Sequence, residues 1–208
     1  PVPALPAVGS GPLVNPAEFS DSLVASVIVS VPAAKSIFDV EKALDFLIGQ
    51  QASDGSWGED IYTDWTAIAL ASGNNQNQVL KLIKYFGESK TAGTLLTDFE
   101  RRAMALLALG LNPYSINGEN YIEKIVANFD GKQFGDANED NDDIFALIVL
   151  QNAGFTQNEK MISDDIDFIL SRQKENGSWD ESVDMTGASI EALSFFNQNE
   201  KVENALFK

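Results

Sequence analysis

Residues 43–57, ALDFLIGQQASDGSW, and residues 166–179, IDFILSRQKENGSW, read as two copies of one pattern. Each begins as a short amphipathic helix, carries a glutamine near the helix end and closes in a Gly-Ser-Trp turn. Past each turn comes an acidic residue and a second, more apolar helix: TDWTAIALAS at 63–72 and VDMTGASIEALSFF at 183–196. Two degenerate copies lie between them. VLKLIKYF (79–86) precedes TDFERRAMALLALG (97–110), and YIEKIVANFDGKQFG (121–135) precedes DDIFALIVLQNAG (142–154). Asp64, Asp98, Asp142 and Asp184 anchor the four copies at spacings of 34, 44 and 42 residues.

The pattern predicts an all-α array of four helical hairpins. The first helix of each has a charged face, as an outer helix should. The second is rich in Ala, Leu and Ile, as an inner helix should be. Gly73, Gly110 and Gly154 follow inner helices, where glycine can take the left-handed cap conformation. The four anchor acids stand at or near inner-helix starts, where a carboxylate can accept free backbone N–H groups and meet the positive end of the helix dipole. Such a repeat buries its apolar face only by stacking on neighbours. Residues 199–208 (NEKVENALFK) read as the outer helix of a fifth unit.

These residues resemble the Gln-Trp repeats of the squalene cyclase and protein prenyltransferase superfamily. The pattern of an aromatic-Leu pair, Gln and Gly-x-Trp reads here as Phe46-Leu47, Gln50 or Gln51, and Gly55-Ser56-Trp57. It recurs as Phe168-Ile169, Gln173 and Gly177-Ser178-Trp179. Phe134 replaces Trp in the third copy, and the second copy has no such turn. The resemblance implies an α/α toroid, with outer helices ringing inner ones around a cavity. A full toroid uses six hairpins, so four and a half imply an incomplete ring, a cut chain or closure by a partner.

Composition narrows the chemistry. The 208 residues carry a formal charge of −17, which argues against nucleic acid and anionic membranes as partners. There is no His and no Cys. That removes Ser-His-Asp and Cys-His catalysis, thiolate or imidazole zinc sites and disulfides. Within the resembled superfamily it also removes the zinc and thioester activities. Six of the seven prolines fall at or before Pro32, and Lys35 is the first basic residue. Residues 1–36 therefore read as a Pro-rich extended arm, and 37–208 as the repeat domain. Within the arm, LVASVIVSV (23–31) is β-branched and suits packing on its own chain or exchange with a neighbouring molecule. It is too short and too interrupted by serines to span a membrane. The missing initiator Met reads as processing or excision.

The densest local signal is Asp136-Ala137-Asn138-Glu139-Asp140-Asn141-Asp142-Asp143. Oxygens at Asp136, Asn138, Asp140 and Asp142 follow the alternate spacing that opens a calcium loop, and hard oxygen ligands suit calcium. An EF-hand is excluded, because Asn141 stands at the turn glycine and Leu147 at the bidentate glutamate. Asp140-Asn141-Asp142-Asp143 also matches the D-x-D-D motif of class II terpene cyclases. The resemblance makes Asp142 the general acid there, flanked by Asp140 and Asp143. The third reading is a solvated loop that caps an inner helix. Tyr62, Trp65 and Phe99, near inner-helix starts, are the candidate ligand-contacting aromatics, with core filling as the competing role. Arg101-Arg102 reads as a pair that neutralises nearby acids. The leading expectation is a secreted or cell-surface module that binds a protein, glycan or small ligand, or self-associates through its arm, without catalysis. A relative of a terpene cyclase using Asp142 is the alternative.

Overall fold

The structure, a computed structural model, describes residues 39–208 except Asn74. The arm at 1–36 and its segment 23–31 lie outside the described residues. The chain divides between Phe46 and Leu47 into two compact units. The described part of the first, residues 39–46, opens α1 (Val40–Gly49), where Asp39 accepts the Lys42 N–H at 3.1 Å.

The second unit continues with α2 (Asp60–Ala71), α3 (Gln76–Glu88), α4 (Leu96–Ala108), α5 (Tyr121–Val126), α6 (Asp140–Asn152), α7 (Lys160–Arg172), α8 (Val183–Ser194) and α9 (Glu200–Leu206). All regular structure among the described residues is helical; three isolated bridges only close turns. The alternation expected from the sequence is present. Inner helices form a row in which α2 packs on α4, α4 on α6 and α6 on α8. Each also holds the next helix of the chain, α3, α5, α7 or α9. Residues 199–208 supply α9, the lone helix after the fourth hairpin.

The Gly-Ser-Trp turns owe their shape to side-chain bonds. Trp57 Nε1 donates to the Leu47 carbonyl and Trp179 Nε1 to the Ile169 carbonyl, both at 2.7 Å. Each indole thus ties its turn to the preceding helix while filling space beside it. Gln51, not Gln50, is the glutamine of the first copy. Its Nε2 donates to Gly55 O at 3.0 Å and to Gln78 O in α3 at 3.3 Å. Gln173 does the same with Gly177 O at 3.1 Å and Ala205 O in α9 at 2.9 Å. In both copies one amide locks a turn to the next outer helix. Gln133 bonds only within its own turn.

The helix core fixes the repeat register. Leu70, Leu106, Leu150 and Leu193 are fully buried at matching points of the four inner helices. Seven residues before them stand Thr63, Phe99, Asp143 and Thr186. Thr63, Asp143 and Thr186 each accept the backbone N–H of the turn aromatic, Trp57 at 2.9 Å, Phe134 at 2.7 Å and Trp179 at 3.0 Å. Asp143 therefore occupies a threonine's structural position. The four anchor acids are not equivalent to one another: only Asp98 and Asp142 share a position in this register. Asp98 accepts the Leu95 N–H at the start of α4, as expected of a helix-start acid. Asp64 instead faces an arginine, Asp142 accepts the Asp136 N–H, and Ser182 rather than Asp184 caps α8. Gly110 and Gly154 do take left-handed φ values of 69° and 99°, closing α4 and α6 with Leu111 N–H to Leu106 O and Phe155 N–H to Leu150 O bonds. Gly73 does not adopt that conformation.

Candidate functional site

Aromatic side chains from two of the inner helices come together along the row. In the common register, five residues before the buried leucines stand Trp65, Arg101, Phe145 and Ala188. Trp65 on α2 and Phe145 on α6 meet edge to face, with centroids 6.3 Å apart, although α4 lies between their helices in the packing order. Trp65 is 44% exposed. Ile61 one turn before it is also exposed, and Ile68 is half-buried. At the same register position as Ile68, Met104 on α4 is half-buried and Ile148 on α6 is buried. Tyr62 on α2 is 61% exposed. Phe99 points elsewhere: its ring lies 4.8 Å below the Lys124 ammonium of α5. Of the three aromatics singled out in the sequence, Trp65 is thus joined by an unanticipated partner, Phe145, and Phe99 is separated from it.

Charge in this row is organised by the Arg101-Arg102 pair. Arg102 is buried and donates to Asp64 at 2.8 Å and Asp60 at 2.7 Å, its guanidinium 4.8 Å from the Phe86 ring centroid. Arg101 bonds Asp98 at 2.8 Å and lies 3.4 Å from Asp64. Burial pushes the Asp64 carboxyl up to about 6 against the pull of both arginines. Asp60 is partly desolvated too. The Ala92 N–H, Arg102 and the Thr91 hydroxyl outweigh that and hold it below the ordinary carboxylate range.

The next interface along the row has acids and no such cations. Glu100 on α4, Asp143 on α6 and Asp165 on α7 are fully buried. Neither oxygen of Glu100 has a hydrogen-bond partner. Burial pushes Glu100 well above its ordinary range, and Asp142 and Asp143 push it further. Burial likewise raises Asp165, with Asp143 and Glu100 adding to it. Asp143 rises to about 6 through burial, partly opposed by the Phe134 N–H that it accepts, with Asp142 and Asp140 pushing it further up. Asp142, half-buried, is also raised by desolvation, against the Asp136 N–H that it accepts at 3.0 Å. Sequence reading missed Glu100 and Asp165. The signal for Glu100 was the register: it corresponds to Asp64, and it faces acids where Asp64 faces arginines.

The acidic loop has other partners for the oxygens proposed to hold calcium. Asp136 accepts the Asn138 N–H at 2.9 Å and the Asn138 amide at 2.8 Å. Asp140 pairs with Arg172 on α7 at 2.6 Å. Asp142 is turned to the Asp136 backbone, where Gly135 leaves it room: a Cβ there would stand 2.1 Å from its oxygen. Among the described residues no group of three or more acids has geometry that could hold a metal ion. Beside the loop, Asp140, Asp143, Ile144, Phe168, Ile169, Arg172 and Trp179 line a crevice with no room for a water-sized body.

Comparisons with protein-family models, with curated proteins and with solved structures find no match to this chain. No helix among the described residues is long and apolar enough to cross a membrane.

Proposed function

We propose that the chain is a binding or assembly module, secreted or displayed at a cell surface, built on an α/α-toroid-like array and working without catalysis. The observation that carries this reading is the half-exposed Trp65 set edge-on to Phe145 on the inner-helix row. Exposed aromatics backed by a rigid helical row suit recognition, because little side-chain entropy is lost when they are covered. The row of buried ion pairs at Asp60, Asp64, Arg101 and Arg102 holds α2 and α4 in place in that row. The residues at the D-x-D-D motif bond to their own loop and to Arg172, which suits a structural part better than a proton donor.

A peptide-display selection on the immobilised chain tests the reading. Binders recovered on the wild type should be lost on a Trp65→Ala, Phe145→Ala double variant. Equal recovery on both proteins would sink the inner-face reading. Product formed from squalene or a prenyl diphosphate, and lost in Asp142→Asn, would replace it with the cyclase alternative.

A further inference from the structure

The buried side of α7 consists of Ile162, Asp165, Ile166 and Ile169. Three of these four are what an outer helix needs to seat on α6. Asp165 is the exception. It is fully buried, and neither of its oxygens has a hydrogen-bond donor. A neutral carboxyl is tolerated in such a place, whereas an ionised one without donor or counterion is costly. The charged groups that face it are themselves acids, Asp143 from α6 and Glu100 from α4. One oxygen of Asp143 and both of Glu100 also lack partners. Among the described residues, the cations of the surrounding helices are committed elsewhere. On α7, Arg172 pairs with Asp140 and Lys160 with Asp164; on α9, Lys201 pairs with Asp167. On α4, Arg101 and Arg102 hold Asp60, Asp64 and Asp98. Helix α6 carries no lysine or arginine, and Lys132 in the turn after α5 lies over the Phe168 ring at 5.9 Å. The acids of α9, Glu200 and Glu203, are exposed.

We infer that α7 is a pH-sensitive strap, seated on α6 while the Asp165 carboxyl is neutral and released into water once that carboxyl ionises. An ionised Asp165 finds relief only in water, and the packing decides where water enters. Wetting Glu100 means parting two inner helices, α4 and α6, whose Ala103, Leu106, Leu147 and Leu150 are fully buried. Wetting Asp165 means lifting one outer helix. Three isoleucines seat it, and the Trp179 indole ties it through the Ile169 carbonyl. Its ion pairs at Arg172 and Lys201 lie partly in water, where such pairs add little. An element held in this way opens at lower free energy than the row behind it. The direction follows from burial, which raises Asp165 well above the ordinary carboxylate range, with Asp143 and Glu100 adding to the rise. The strap is therefore closed in acid and opens as pH climbs through that raised value. Opening wets Asp165 and bares Ile162, Ile166 and Ile169 while the inner row stays folded. That order separates it from a loss of stability by the whole chain. It uses none of Tyr62, Trp65 and Phe145, so it stands or falls independently of the binding reading.

Hydrogen exchange of the full chain, followed by mass spectrometry from about pH 5 to about pH 9 and corrected for the base catalysis of exchange itself, reads the opening of each helix. In α7 the opening constant should rise by up to about tenfold per pH unit for each proton released. Over the same range α2 and α4 should keep their protection to within about threefold. Protection of α7 should return when the sample is brought back to acid. Asp165→Asn should remove most of the rise in α7, since the amide has no proton to lose in this range. Asp164→Asn, which alters only the carboxylate paired with Lys160, should leave the wild-type profile. Three results would overturn the inference: protection of α7 that is constant across the range, protection lost from α2, α4 and α7 together, or a rise in α7 that Asp165→Asn leaves unchanged. If Asp165→Asn does not fold, the comparison of α7 with α2 in the wild type decides.

Discussion

Replacing Glu100 by glutamine should make the protein more stable at neutral pH and change little in acid. A buried carboxyl with raised pKa keeps its proton in the folded chain and loses it in the unfolded one. The folded state therefore binds more protons, and unfolding free energy falls as pH rises. That contribution is fully present below the unfolded carboxylate pKa and is lost as pH climbs through the folded values. Asp143 alone, raised from 3.8 to about 6, accounts for about 3 kcal/mol lost across that window. Glu100 and Asp165 add to the loss in the same direction, since burial raises both well above the ordinary carboxylate range. Each retained proton costs about 1.4 kcal/mol per pH unit. Carboxyls lowered by neighbouring donors, such as Asp60 beside Arg102, act in the opposite sense and lose stability as pH falls. The maximum should lie near the ordinary carboxylate pKa, at about pH 4 to 5. Urea unfolding of wild type, Glu100→Gln and Asp165→Asn from pH 4 to 8.5 at constant ionic strength measures this. Each variant should flatten the wild-type slope by up to about 1.4 kcal/mol per unit, with curves converging near pH 4. A wild type that gains stability from pH 4.5 to 7.5, or a Glu100→Gln variant equally destabilised at every pH, would refute the protonated cluster.

Arg102→Met should cost about 3–5 kcal/mol in urea unfolding, because Asp64 is left buried without its principal partner. Much of the loss should return in the Arg102→Met, Asp64→Leu double variant. Trp179→Ala should cost about 3–5 kcal/mol by the same assay, through a cavity and the lost bond to Ile169 O. Gln173→Ala should cost about 1–2 kcal/mol by removing the donor to Gly177 and Ala205, with hydrogen exchange accelerating in α9 before the inner helices.

What was legible in the sequence was whatever a repeat imposes. Alternating amphipathic and apolar segments gave the order of outer and inner helices, and the Gly-Ser-Trp copies located the turns that Trp57 and Trp179 tie down. The register within the helices was harder, because acids were aligned with acids. Asp64, Asp98, Asp142 and Asp184 look alike as letters, yet the fold treats them by the neighbour each one meets. Aligning instead on the apolar positions, Leu70 with Leu106, Leu150 and Leu193, puts Asp143 opposite Thr63 and Thr186. The acid of the third copy then has a reason that neither calcium nor proton transfer requires: Phe134 lacks an indole but still needs an acceptor for its backbone N–H.

The same register explains why the cluster at Glu100 could not be read from any one segment. Its members come from α4, α6 and α7, and only the packing of α4 on α6 and of α6 on α7 brings them together. The α2–α4 interface carries two arginines for its acids; the α4–α6 interface carries none. If Arg101 and Arg102 had stood one repeat later, Glu100 would have cations to oppose the rise that burial imposes, as Asp64 does. The arginines serve Asp60 and Asp64 instead, so the acids one interface on are left to solve their burial with protons. A single position in the repeat therefore holds a carboxyl whose rise two arginines oppose in one copy, and in the next a carboxyl whose rise neighbouring acids increase. This is why the pH profile, more than any single stability value, reports on how the row is assembled.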